Sequence, residues 1–469
     1  MAAANHTKEM ARTAWVKPLT AGAGPRYLQI ADLIGQAIQS GELRAGDQIP
    51  AQRWLASELG VDLTTVTRAY TEARNRGLIA SFSGRGSYVV DPGETAGGSR
   101  IDLTMNIPPQ PADGSMAERV RAGIDEILTR QRIETLSIYQ DGTSNRSAIQ
   151  AAQAWLRPAL GDLDSANLTV CAGAQAAIFG ILSSTVRRGD TVLCEPLTYP
   201  GFLLATRKLG VQVIAVECDD DGVMPDALER AQRSSGARLI YLNPTLHNPT
   251  ARTMPAGRRQ EVAAMLRRLQ MTLIEDDPYR YLLNDAPPPL VALTGGERTY
   301  YLASLSKCLW PSLRTAFVLP PRGDDGAAMR EGLGAGSMGC SALMVALAEH
   351  WIRSGTARHL VQEIQREARA RQNLARAFLP PEACAHPTGI HIWLPLPARW
   401  SQHLFAHALD ESGVTVACAD SFSVAPEARD AVRISVGGAA NQAVLGQALQ
   451  RIAALLQEDR RRGPRRAIV

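Results

Sequence analysis

Lys307 closes an apolar run, Tyr300-Tyr301-Leu302-Ala303-Ser304-Leu305-Ser306-Lys307, and Arg314 follows seven residues later. The run predicts a buried strand over 299–305 that delivers an amine at its carboxyl end. A buried lysine is costly unless it is paired or does chemistry. Two readings follow. In one, the side chain snorkels from a loop and is structural. In the other, Lys307 forms a Schiff base with a carbonyl compound, while Ser304, Ser306 and Arg314 hold a phosphate beside it. The rest of the chain decides between them.

Candidate strands over 168–171, 191–194, 212–216, 237–242, 271–275 and 299–305 alternate with helical patterns such as 174–186 and 256–270. This predicts an α/β sheet with parallel strands, whose ligand sits outside the strands' carboxyl ends. Ala172-Gly173-Ala174-Gln175 opens a helix there, and free N–H groups at a helix N-terminus seat a phosphate. Tyr199 offers an aromatic ring to stack on a flat ligand. Asn243 and Asn248 offer amides. Asp276, in Glu275-Asp276-Asp277-Pro278-Tyr279, is a carboxylate in want of a cation. The protonated nitrogen of a pyridine ring would serve, with Tyr279 in reach of a phenolate oxygen on the same ring.

Taken singly, each feature has a plain alternative in turn chemistry or core packing. Together they describe a site for pyridoxal 5′-phosphate. Lys307 would form the aldimine, and Asp276 would keep the ring nitrogen protonated so that the ring can accept electrons. Asn248 and Tyr279 would bond the ring oxygen. Gly173, Ala174, Gln175, Ser304, Ser306 and Arg314 would hold the phosphate.

The order and spacing of these residues over 101–458 resemble the aspartate-aminotransferase superfamily (fold type I). The resemblance implies ring stacking for Tyr199. It implies a substrate α-carboxylate arginine at Arg433, in Val432-Arg433-Ile434-Ser435. It also implies that Tyr139, in Ser137-Ile138-Tyr139-Gln140, reaches the phosphate of the other subunit of a homodimer. A small domain, which in the family moves on ligand binding, is expected over about 330–458. It would carry a long helix over 341–379, broken near Gly355, and strands over 390–394, 414–417 and 432–436. Two departures are visible: Ala251 stands where the family has Gly, and Ser312 replaces the Gly of a Pro-Gly pair. Neither removes a contacting side chain. The histidines, among them His247, His386 and His391, show no metal-ligand spacing and read as structural or surface residues.

Residues 1–24 are small, polar and aperiodic and read as a mobile arm. Over 25–90 the pattern predicts a helix from Tyr27 to a stop at Gly41. A short helix over 51–59 follows, turning Trp54, Leu55 and Leu59 inward, and Asp62 caps a third helix running to Arg76. A hairpin closes around Gly84-Arg85-Gly86. This is the order of a winged helix-turn-helix, whose second motif helix enters the DNA major groove. Thr64, Thr65, Thr67 and Arg68 face outward on that helix, Arg53 begins the supporting helix, and Arg85 marks the wing tip. A small helical interaction domain with solvated arginines is the alternative. The run from Gly41 to Val90, with its Pro-x-x-Arg-x-Leu-Ala, Thr-Val-x-Arg-Ala-Tyr and Gly-Arg-Gly elements, resembles the GntR-type winged helix-turn-helix from end to end. Asp62-Leu63 departs from the family's Ser-Arg, exchanging a cation that touches DNA for an anion.

Bulk properties add limits. The chain has 469 residues, 45% hydrophobic and 20% charged, with a net charge of +4, and two or three domains are expected. Residues 1–90 carry ten Lys+Arg against seven Asp+Glu, so a nucleic-acid reading must rest on arrangement. Seven scattered cysteines without a C-x-x-C pair suggest neither a zinc site nor a disulfide framework and fit a reducing compartment. Without a signal-like or membrane-spanning run, a cytoplasmic protein is expected. Residues 91–100 have the composition of a flexible linker, and 459–469 form an arginine-rich tail. A GntR-type head on an aminotransferase-like body is the layout of the MocR group of bacterial regulators, which this chain resembles over nearly its full length. The resemblance implies a regulator that binds double-stranded DNA and pyridoxal phosphate, and that senses an amino compound through Lys307. A working aminotransferase with a DNA-binding head is the alternative from another class. A body that only dimerises the heads is a third, against which the intact Lys307 set argues.

Overall fold

The computed structural model describes residues 15–20, 24–44, 46–76, 78–82, 86–89, 100–111, 115–130, 132–139, 142–143, 145–337, 339–425 and 429–458. The chain divides into two compact units, Met1–Arg100 and Ile101–Val469.

In the first unit, α1 (Arg26–Gln39), α2 (Gln52–Leu59) and α3 (Leu63–Asn75) precede an antiparallel hairpin of β1 (Ile79–Phe82) and β2 (Gly86–Val89). Ile30, Ile34, Leu55, Val66, Ala69, Tyr70 and Ala73 recur at helical spacing and meet in one core. Gly60 ends α2 at φ 61°, a left-handed turn that suits glycine. Asp62 occupies the N-cap position of α3 but makes no side-chain capping bond.

Two expectations are corrected here. The arm expected to be mobile through residue 24 is docked at Trp15, which is buried in the same core with Val16 and Leu19 packed on it. A large aromatic surface gains enough from burial to order the few residues around it. Trp54 is 41% exposed, not inward, because α2 turns Leu55 and Ala56 into the core instead. Arg85, the linker 91–99 and the tail 459–469 lie outside the described residues.

The second unit begins with β3 (Ile101–Asp102). Its main sheet contains β4 (Thr169–Cys171), β5 (Thr191–Cys194), β6 (Gln212–Ala215), β7 (Leu239–Leu242), β8 (Thr272–Asp276), β9 (Thr299–Ser304) and β10 (Ala316–Leu319), in the order β4-β10-β9-β8-β7-β5-β6. The expected strands are present. β10 was not expected, and it runs antiparallel to both its neighbours while the other pairs are parallel. It escapes a pattern search for alternating helices and strands because it follows β9 through a turn without a helix of its own length. That turn carries Lys307 and Arg314.

A second sheet joins β11 (Cys384–Ala385), β12 (His391–Pro395), β14 (Ala417–Cys418) and β15 (Ala431–Ser435), ordered β11-β12-β15-β14, while β13 (Val414–Thr415) pairs with β3. Ile101 and Leu103 therefore belong to the small core, with Ile392, Phe405, Val432 and Leu449. The small part expected from about 330 starts later. Helix Ala327–Gly336 lies against helix Ala174–Thr185 so closely that a Cβ on Gly332 would meet the Gly180 carbonyl at 2.6 Å. Helix Ala342–Arg353 buries Val345, Leu347 and Trp351 in the large core. Helix Thr356–Arg376, separated from it at Gly355 as expected, puts Leu360 and Ile364 in the large core and Ala375 in the small one.

Candidate cofactor site and DNA-binding surface

The carboxyl ends of β7, β8 and β9 bring Tyr241, Asp276 and Lys307 to one place. Asp276 is 4% exposed. Its Oδ2 accepts a hydrogen bond from Tyr241 Oη at 2.6 Å, and its main-chain carbonyl accepts one from Asn243 Nδ2 at 2.6 Å. Asp276 Oδ1 is buried and has no partner. Burial pushes this carboxyl up to about 7, the Tyr241 bond opposing the shift. Burial likewise lowers Lys307 to about 8, with the Arg433 charge adding to the shift and Asp276 opposing it. An acid and an amine titrating near neutrality in one pocket is an arrangement typical of functional sites.

A pyridine nitrogen carrying a proton fits the orphaned Asp276 Oδ1, since a buried acceptor without a donor is costly. The phosphate side fits as well. Gly173 (φ 94°) caps helix Ala174–Thr185, and a Cβ there would come within 3.0 Å of the Arg314 guanidinium. Arg314 Nη2 donates to the Ala172 carbonyl at 3.2 Å. Ser306 Oγ is buried and unpartnered, whereas Ser304 Oγ accepts from the Ser306 amide at 3.2 Å. Gln175 donates to the Gly201 carbonyl at 2.9 Å, and a Cβ on Gly201 would collide with both Gln175 and the Tyr199 ring. The glycine thus lets Tyr199, half-buried, lie against the same pocket.

On the opposite side, Arg433 is 6% exposed. Its Nη1 donates to Asn248 Oδ1 at 2.6 Å, its Nη2 donates to the Thr104 carbonyl, and its Nε has no partner. No carboxylate pairs with it among the described residues, and burial lowers its pKa. Tyr279 is buried, accepts from Asn106 Nδ2 at 3.1 Å, and is raised to about 12 by burial. Tyr139 stands apart from this set and is 79% exposed.

Two contributors escaped the residue-level reading. Tyr241 lies on an expected strand, but only the parallel register that sets it opposite Ile274 shows that its hydroxyl reaches Asp276. Asn106 left no signal, since it lies in an aperiodic Pro-rich stretch. His391 is fully buried, lowered to about 3 by burial, and bonds the His247 carbonyl at 3.0 Å. No group of metal-ligating side chains occurs among the described residues.

On the first unit, Arg53, Thr64, Thr67 and Arg68 are exposed and Thr65 is half-buried. Thr67 Oγ1 lies 2.9 Å from both Gln52 Oε1 and the Leu63 carbonyl. The Arg68 guanidinium sits 4.5 Å over the Tyr27 ring. Leu63, in the first turn of α3, is 42% exposed.

Comparisons with known proteins agree with both units. Residues 26–89 match the bacterial regulatory proteins of the gntR family, and residues 99–452 match aminotransferase class I and II. An uncharacterized HTH-type transcriptional regulator, YdeF of Bacillus subtilis, is 27% identical over 456 residues, 95% of this chain and 97% of its own. The vitamin B6 salvage pathway transcriptional repressor PtsJ of Salmonella typhimurium is 30% identical over 406 residues, 84% of this chain and 91% of its own. A kynurenine aminotransferase from Pyrococcus horikoshii superposes with a TM-score of 0.69 at 21% identity, covering 76% of this chain and 91% of that one. An archaeal alanine:glyoxylate aminotransferase gives 0.70 at 18% identity, covering 97% and 99%. The last two establish the fold alone. The chain belongs to the aminotransferase class I and II family and carries a gntR-family DNA-binding unit at its N-terminal end, the build of a MocR-type transcriptional regulator. Its cofactor is pyridoxal 5′-phosphate.

Proposed function

We propose that this regulator holds pyridoxal 5′-phosphate at Lys307 and changes its hold on DNA when an amino compound enters the same site. The observation that carries the reading is half-buried Lys307 beside buried Asp276, the acid having one oxygen without a partner. When bound, the cofactor supplies an aldehyde for amines and an electron-accepting ring. Lys307 Nζ is the amine for that aldehyde. Asp276 holds the proton on the ring nitrogen, Tyr199 stacks on the ring, and Asn248 and Tyr279 bind its oxygen. Gly173, Ala174, Gln175, Ser304, Ser306 and Arg314 take the phosphate. Arg433, buried beside neutral acceptors only, receives the carboxylate of the incoming compound.

Exposed Ile133, Ile138 and Tyr139 favour a homodimer that covers this apolar segment, with Tyr139 reaching the phosphate held by the other copy. Two heads then address paired half-sites in double-stranded DNA, through Arg53, Thr64, Thr65, Thr67, Arg68 and Arg85. A cytoplasmic location fits DNA as the target, and no described helix is long and apolar enough to cross a membrane.

The test is a binding assay on the DNA upstream of the chain's own gene, with pyridoxal phosphate and a panel of amino acids and amines. A footprint that shifts with one of them supports sensing, and the absence of any footprint sinks the regulatory reading. A second reading, amino transfer as the physiological role, is favoured by the presence of Lys307, Asp276 and Arg433 together. Turnover of amino donors with a keto acid at about 1 per second or faster would put it first.

A further inference from the structure

Residues 103–107 cross the candidate site as a strap, and their bonds use the groups that would hold cofactor and amino compound. The Asn106 carbonyl accepts from Lys307 Nζ at 2.6 Å, and Asn106 Nδ2 donates to Tyr279 Oη at 3.1 Å. The Thr104 carbonyl accepts from Arg433 Nη2. Asn106 is 4% exposed, and its Oδ1 has no partner. The first residue of the strap and the chain just before it are fastened to the small part of the body. Ile101 and Leu103 donate to the Gly413 and Thr415 carbonyls, and the Leu103 carbonyl accepts from Ser435.

Beneath it lie Gly437 and Gly438, just beyond the strand that carries Arg433. A Cβ at Gly437 would run into the Ile107 carbonyl, and one at Gly438 into the Asp102 carbonyl. Only glycine lets the strap lie so close. In sequence, β3 follows directly on the linker that ends the DNA-binding unit.

We propose that Asn106 is a positioning residue and the strap a clasp. An amino acid whose carboxylate draws Arg433 from Thr104 releases the strap, the Asn106 contacts of Lys307 and Tyr279 being those that cofactor binding alone contests, and shifts β3, the point from which the DNA-binding unit is tethered. The inference rests on the cofactor-binding reading above and assigns that site its means of regulation. Its physical basis is competition. A carboxylate takes two N–H groups of a guanidinium in charge-assisted bonds, against one neutral carbonyl. Lys307 lacks donors only while its nitrogen is bonded to the cofactor and regains its amine when an incoming amino group takes its place, so the leverage of the amino acid itself is on Arg433. A ligand carboxylate and the Arg433–Thr104 contact exclude one another, which is the differential affinity that a population shift requires. An amine without a carboxylate leaves Arg433 on Thr104 and is the weaker effector.

The experiment loads the full-length protein with reduced phosphopyridoxyl-L-alanine, or with phosphopyridoxyl-ethylamine, which lacks the carboxylate. Uptake is followed by absorbance and the peptide 101–111 by hydrogen exchange. The expected result is exchange about tenfold faster with the alanine adduct and less than about twofold faster with the other. Gly437→Ala should speed exchange of the same peptide without any adduct. Asn106→Ala should do so more weakly and should move the pH at which the bound cofactor's visible band titrates, which a merely structural residue would not. If Gly437→Ala does not fold, the adduct comparison and Asn106→Ala decide. Binding of the alanine adduct with unchanged exchange over 101–111 overturns the clasp and leaves the cofactor reading standing. Failure of both adducts to bind overturns the cofactor reading itself.

Discussion

The candidate cofactor site of the body and the candidate DNA-facing surface of the head present polar groups in opposite ways. Lys307, Asp276, Asn248 and Arg433 are held inside the protein, with partners chosen by the fold and a few acceptors left unused. Arg53, Thr64 and Thr67 stand in water, and Arg68 leans on Tyr27. Desolvating a charge is expensive, so a buried charge with an unpartnered neighbour points to a ligand. A solvated arginine costs nothing to keep and by itself points to nothing. In the body, burial carries the functional information. In the head, the arrangement on a known framework carries it.

The contrast predicts all-or-none, protonation-dependent effects in the body and graded, salt-dependent effects in the head. The largest expected change is Lys307→Ala, which removes the amine and should abolish the visible absorbance of cofactor-loaded protein. Retention of that absorbance would show that the site binds by contact alone. Next comes pH. With Lys307 lowered to about 8, the rate of cofactor capture should fall about tenfold per unit below pH 8 and level off above it, as the neutral amine fraction does. A stopped-flow series from pH 6 to 9 checks this.

The same two groups make pH-dependent contributions to the stability of the cofactor-free protein. Asp276, raised from 3.8 to about 7, favours the folded state below its unfolded value, and that contribution is lost as pH rises through 7. Lys307, lowered from 10.5 to about 8, favours the folded state above its unfolded value and loses that contribution as pH falls through 8. Neither helps between 7 and 8, so cofactor should raise Tm most there.

Head substitutions should be milder. Arg53→Ala should weaken DNA binding across sequences by about tenfold at moderate salt and lower the salt slope by about 1. A loss confined to one operator sequence would instead mark Arg53 as a base reader. The smallest expected effect tests a departure from the family pattern. Ala251 adopts φ 59°, the left-handed region that glycine occupies at low cost. Ala251→Gly should therefore raise stability by up to about 1 kcal/mol, the relief exceeding the extra freedom of the unfolded chain. A drop in Tm would show that the Ala251 methyl packs well enough to offset its backbone.

Much of the candidate site can be read from the sequence. Lys307, Arg314, Asp276 and Tyr279 stand close along the chain at or just after strand ends, and the strands announce themselves as apolar runs. What escaped depends on register and on approach between distant segments. Tyr241 reaches Asp276 only because β7 and β8 pair as they do, with Tyr241 opposite Ile274. β10 was missed because an antiparallel return without a helix looks like part of the preceding loop. Trp15 and Trp54 exchanged roles because helical spacing ranks apolar faces but does not say which segment comes to cover them.

The amino-acid sequence by itself determined the kinds of chemistry available, through an amine, an acid, a phosphate seat and a basic helix, since these follow from residue type and local spacing. Only the tertiary structure decided which of those groups meet. It buried Asp276 with an unused oxygen, turned Arg433 toward Asn248, and laid the strap 103–107 across Lys307. Such meetings join residues up to 329 positions apart, as for Arg433 and Thr104. Local spacing says nothing at that range, where packing of two cores sets every distance.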